Sequence, residues 1–80
     1  MTRLSIIIVS YNVKYYLEQC LRSVERATTQ MPVQIWVVDN ASTDGTLDYL
    51  RPRFPHVHFI ANQDNRGFSA ANNQAIRLST

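Results

Sequence analysis

Four consecutive β-branched residues, Ile6-Ile7-Ile8-Val9, follow Leu4 and Ser5 near the start of the chain. Branching at Cβ crowds a helix and suits a pleated strand. A strand without polar alternation needs cover on both faces, which is the mark of a parallel sheet clad by helices. Residues 4–9 therefore demand helices and further parallel strands from the rest of the sequence.

The rest of the sequence offers both. Val13, Leu17, Cys20, Leu21, Val24 and Ala27 recur at helical spacing and form one apolar stripe. Thr28, Thr29, Gln30 and Pro32 end that helix. Residues 33–38 (Val-Gln-Ile-Trp-Val-Val) read as a second strand with little alternation, which places Trp36 under a helix. Turn and cap formers fill residues 39–45, and Ser42, Thr43 or Asp44 can cap a short helix over 46–51 that Pro52 and Pro55 terminate. Residues 57–61 read as a weaker third strand. Residues 68–78 read as a third helix with Phe68, Ala71, Ala75 and Leu78 on one face. The order β-α-β-α-β-α predicts an α/β fold with a Rossmann-like parallel sheet and right-handed crossovers.

All strands of a parallel sheet point one way, so residues 10–12, 39–45 and 62–67 emerge together at its carboxyl edge. Open α/β sheets bind ligands there. All three segments are rich in hydrogen-bonding side chains. A dinucleotide site would need Gly-x-Gly-x-x-Gly after the first strand. Ser10-Tyr11-Asn12-Val13 holds no glycine, and Tyr11 would crowd a pyrophosphate. A Gly-Lys-Ser/Thr phosphate loop is also missing. What remains is an aromatic residue at one loop, Tyr11, that can cover a base or sugar face. Asp39 at the next loop can accept hydrogen bonds from ribose hydroxyls or a base N–H. Asp39 reads equally well as a turn former.

Composition narrows the class. The chain has 80 residues, 45% hydrophobic and 18% charged, which suits one small globular domain or a piece of a larger one and argues against disorder. Eight basic residues against six acidic ones are scattered, so no basic face for nucleic acid is expected. No apolar run nears the roughly 18 residues that span a bilayer, and the N-terminus carries no signal-peptide pattern. The single Cys20 forbids an internal disulfide, fits a reducing compartment, and reads as a small buried hydrophobe. Tyr15, Tyr16 and Trp36 read as packing aromatics. His56 and His58 share one face of a strand start with no evident third metal ligand.

Three blocks carry a family resemblance: Val9-Ser10-Tyr11-Asn12, then residues 37–46 (Val-Val-Asp-Asn-Ala-Ser-Thr-Asp-Gly-Thr), then residues 65–73 (Asn-Arg-Gly-Phe-Ser-Ala-Ala-Asn-Asn). In order and spacing they resemble the N-terminal signature of family 2 glycosyltransferases of the GT-A (nucleotide-diphospho-sugar transferase) fold. The third block is similar to the rhamnosyltransferase-like subgroup. The resemblance spans nearly the whole chain but only about the first third of a typical member. Residues 1–80 are thus expected to be the incomplete nucleotide-binding front of such a domain.

The resemblance implies roles at individual positions. Ser10, Tyr11 and Asn12 match the loop at the base, Asp39 the acid on base or ribose, and Gly67 and Phe68 the helix start beside the nucleotide. Arg66 matches a position near a phosphate or the base, and an exposed loop arginine is its bland alternative. Asn73 matches a helix asparagine, read as an inward polar anchor with a ligand role. Asn40, Ser42 and Asp44 match the turn itself. Lys14 stands where many members carry Glu, Asn72 where many carry Arg, and Ala75 where many carry Gly.

The implied donor is a UDP- or dTDP-sugar, and the acceptor a saccharide or lipid-linked sugar. The setting is the cytoplasm, peripheral to the inner membrane face, in cell-wall or polysaccharide biosynthesis. The family's Asp-x-Asp motif, which holds Mg²⁺ or Mn²⁺, does not occur in this sequence. No catalytic or metal-binding residue is therefore assigned within the 80 residues, and the chain alone is expected to be inactive. A non-catalytic nucleotide-binding or interaction module of the same fold is the alternative. Unpaired sheet edges predict low stability or self-association.

Overall fold

A computed structural model describes residues 4–30, 32–65 and 67–79, with the backbone alone at residue 79. Its elements run β1 (Leu4–Ser10), α1 (Lys14–Ala27), β2 (Val33–Asn40), α2 (Thr46–Leu50), β3 (His58–Asn62) and α3 (Gly67–Ser79). The strands form one parallel sheet in the order β1-β2-β3. Among the described residues no helix is long and apolar enough to cross a membrane.

The middle strand explains the layering. Successive side chains point to opposite faces of a strand. Ile35 and Val37 lie in one core with Leu17 and Leu21 of α1, Leu50 of α2, and Phe54 and Val57 from the connection to β3. Val38, with Trp36 beside it, lies in a second core against Ala71 and Ala75 of α3. Two crossovers of one hand put α1 and α2 on the same face, and α3 covers the other. Trp36 thus sits under a helix as expected. Its ring also stacks on His58, its ladder partner, with centroids 4.4 Å apart. His56 is exposed in the turn before β3.

Several expectations need correction. Leu4 and Ser5 are exposed and residues 6–9 only half-buried, because β1 is a sheet edge and the continuous burial falls on central β2. The strands also run one to two residues further, so Ser10, Asp39, Asn40 and Asn62 close strands instead of opening loops. On α3 the buried stripe narrows to Ala71 and Ala75, while Phe68 is 69% and Leu78 58% exposed. The two alanines bring the helix backbone close to the sheet, and no described element reaches past them to cover the larger residues. Asn73 is exposed and cannot be the inward anchor. At about 100° per residue it lies opposite both alanines. Tyr16 faces solvent, since the α1 stripe of Leu17 and Leu21 points the other way, while Tyr15, though largely exposed, packs its ring edge-on against Tyr49 with centroids 5.4 Å apart. Cys20 flanks that stripe and is half-buried, not buried.

Candidate functional site

The carboxyl ends of β1 and β2 meet at Ser10 and Asp39, which are ladder partners. Ser10 Oγ donates to Asp39 Oδ1 at 3.2 Å. Asp39 extends the row of Ile35 and Val37, so it faces the α1/α2 side. Its carboxylate also closes the following turn: Ser42 N–H donates to Oδ2 at 3.0 Å, and Ser42 Oγ donates to Oδ1. Asp39 is 4% exposed. A carboxylate offers about four acceptor sites, and three of them are engaged here. Asp39 therefore combines the two sequence readings: it builds the turn and keeps acceptor capacity at the sheet edge.

Asn12 fastens the first loop to the second. Its N–H donates to Ser42 Oγ at 2.8 Å, and its Oδ1 accepts from Thr43 N–H at 2.7 Å. It adopts φ 52°, a left-handed conformation that asparagine tolerates. Ala41, at φ 63°, is a less suited residue held left-handed between Asp39 and Ser42. Tyr11 is half-exposed beside this junction.

Asp44 sits between two helix starts. Its Oδ1 accepts from Thr46 N–H at 3.1 Å and from Thr46 Oγ1, which caps α2. Its Oδ2 accepts from Lys14 N–H at 3.2 Å, capping α1, whose own N-cap Val13 makes no side-chain cap bond. The Thr46 hydroxyl hydrogen bond, then the backbone N–H bonds, hold the Asp44 carboxyl below the ordinary carboxylate range against an opposing effect of burial. Lys14 Nζ donates to the Asp44 backbone carbonyl at 2.9 Å.

The opposite face of the same edge is built from amides. Asn40, on the row of Trp36 and Val38, is the ladder partner of Asn62. Asn62 Nδ2 donates to Asn40 Oδ1 at 2.9 Å, and Asn40 Nδ2 donates to the Gly67 carbonyl at 3.3 Å. Gly67 has φ 77°, where a side chain would strain the backbone, and its N–H donates to Asn65 Oδ1 at 2.8 Å. These bonds fix where α3 begins.

The three loops therefore converge, as their polar composition anticipated. A shallow depression of about 190 Å³ lies between the β2–α2 segment and the end of β3, lined in part by Asp39, Ser42, Thr46 and Asn62. Ser10, Tyr11, Asn12, Asp39 and Gly67 gather at this edge. Phe68 stands exposed at the first turn of α3, Asn73 lies on the solvent side of that helix, and Arg66 lies outside the described residues. Asn62 and the Asn40 amide link were not legible from the sequence, because each depends on strand register. Among the described residues no three His, Cys, Asp or Glu side chains come together, Asp44 is committed to hydroxyl and N–H donors, and Asp39 has room for about one further contact. The described residues thus do not fit a divalent cation.

Residues 5–80 match the sequence model of glycosyl transferase family 2. The chain belongs to this family. The family 2 chain is 36% identical over 77 residues to a chondroitin synthase of Escherichia coli, covering 92% of this chain and 11% of that protein. It is 36% identical over 73 residues to an N-acetylglucosaminyl-diphospho-decaprenol L-rhamnosyltransferase of Mycobacterium tuberculosis, covering 91% of this chain and 24% of the relative. A solved mannosyltransferase from Pyrobaculum calidifontis, in complex with GDP-Man and Mn²⁺, superposes with a TM-score of 0.83 at 29% identity. That match covers 98% of this chain and 24% of the other. The family 2 chain has the α/β arrangement of the GT-A fold, and it spans a quarter or less of the length of these relatives.

Proposed function

We propose that this chain is the nucleotide-binding front of a glycosyltransferase that moves a sugar from a nucleotide-diphosphate donor to a saccharide or lipid-linked acceptor on the cytoplasmic side of a membrane. The observation that carries the reading is Asp39: a buried carboxylate at the carboxyl end of the central strand, with acceptor capacity left over, whose ladder partner Ser10 is followed by the exposed Tyr11. A ribose hydroxyl or base N–H suits such an acceptor, and an aromatic face suits a base. The neighbour with GDP-Man bound and the rhamnosyltransferase relative support a nucleotide sugar as the partner. UDP- and dTDP-sugars remain the proposed donors. The described residues bind and orient; none is assigned to the chemical step.

The test is donor affinity in the full-length protein that carries this segment. Asp39→Ala removes a charged acceptor and is expected to weaken donor binding about tenfold or more. Ser42→Ala loosens the same turn but leaves the carboxylate, and is expected to cost less. Equal affinity of wild type and Asp39→Ala would remove Asp39 from the site. Donor binding without any sugar transfer would favour a non-catalytic nucleotide-binding module.

A further inference from the structure

Lys14 joins two loops that the sequence separates by thirty residues. Its backbone N–H donates to Asp44 Oδ2 and its Nζ to the Asp44 carbonyl oxygen, at 3.2 and 2.9 Å. The first bond is open to any residue with an N–H. The second needs a long side chain that ends in a donor. Lysine is an unfavourable choice at the first position of a helix, where the dipole is positive, and α1 has no acid in its first turn to offset it. The ammonium is instead folded back onto Asp44, 4.9 Å from the Tyr15 ring centre and 5.5 Å from that of Tyr49.

We propose that Lys14 is a positioning residue for the donor site: its side chain clamps the start of α1 to the β2–α2 loop and so sets how the segment that carries Tyr11, leaving β1, lies against that loop. This rests on the donor-binding reading above. The strand ends themselves are joined by the buried Ser10–Asp39 bond, but past them the other links, from Asn12 to Ser42 and to Thr43, are exposed and compete with water. The Lys14–Asp44 pair is partly buried. Asp44 in turn holds Thr46 at the start of α2, so one residue registers both helix starts. A donor that needs Tyr11 and Asp39 together gains affinity from that registration without touching Lys14.

Calorimetric titration of the full-length protein with UDP, dTDP and GDP in turn, each with Mn²⁺, tests the clamp. Measurements are made well below melting, where a loss of global stability leaves affinity unchanged. Lys14→Met keeps the stem and removes the donor, and is expected to weaken the nucleotide that wild type binds by about 3- to 10-fold. Lys14→Arg restores a donor and is expected to recover at least half of the loss. Should Lys14→Met fail to fold, Lys14→Gln, whose amide is too short to reach, is read the same way. Affinity within twofold of wild type for Lys14→Met, or no recovery by Lys14→Arg, overturns the proposal. Wild type that binds none of the three nucleotides instead sinks the donor-binding reading, and the clamp with it.

Discussion

Asp39 and Asp44 are both acids in one turn-rich segment, yet their surroundings separate their work. Asp39 spends its carboxylate across strands and within its turn, and keeps capacity at the edge. Asp44 divides its two oxygens between two helix starts. An N-cap is worth about 1 kcal/mol, so Asp44→Ala is expected to cost about 1–2 kcal/mol in chemical denaturation. A loss below a few tenths would mean that water replaces both caps. The pH dependence has a definite sign. The folded state holds the Asp44 carboxyl below its ordinary value, so folding favours the ionised form. This contribution is present above the unfolded value of about 4 and is lost as pH falls through the folded one. Asp44→Asn is expected to flatten the fall in melting temperature on acidification below about pH 4. A slope unchanged from wild type would assign the acid response to other carboxylates.

At the scale of elements, small residues matter as much as large ones. Ala71 and Ala75 are fully buried and set the distance from α3 to the sheet. Ala75→Leu would force that layer apart and is expected to cost about 1–3 kcal/mol through overpacking. On the other face Leu21 is fully buried between α1 and β2, and Leu21→Ala is expected to cost about 2–5 kcal/mol through the cavity it leaves. Urea melts of the two variants check both values, and a neutral Ala75→Leu would show that α3 rides loosely. The centre of the α1 stripe was legible because Leu17 and Leu21 repeat at helical spacing, whereas Val13 and Ala27 at its two ends are exposed. The α3 stripe misled because Phe68 and Leu78 share that spacing with the alanines, and apolarity alone does not say whether anything lies opposite. Phe54 in the core went unread, since a lone aromatic between two prolines has no period.

For the whole molecule, the decisive feature is that among the described residues β1 and β3 each pair on one side only. Unpaired parallel edges invite added strands, and Leu4, Phe68, Ile76 and Leu78 add exposed apolar surface. The isolated 80-residue chain is therefore expected to associate with itself, with a sedimentation coefficient that rises with concentration above that of a 9.2 kDa monomer. A chain that stays monomeric and melts cooperatively across the same range would show that three strands and three helices suffice.

Periodicity and turn chemistry in the sequence were enough to determine the element order, the parallel sheet and the edge where the polar loops gather. Those are local properties: side-chain spacing selects helix or strand, and the crossover rule does the rest. Tertiary structure alone decided that Ser10 meets Asp39, that Asn40 meets Asn62, and that Lys14 meets Asp44. Each of these pairs depends on strand register or on the approach of two loops thirty residues apart. Register is set by the combined packing of both cores, which no short stretch of sequence contains.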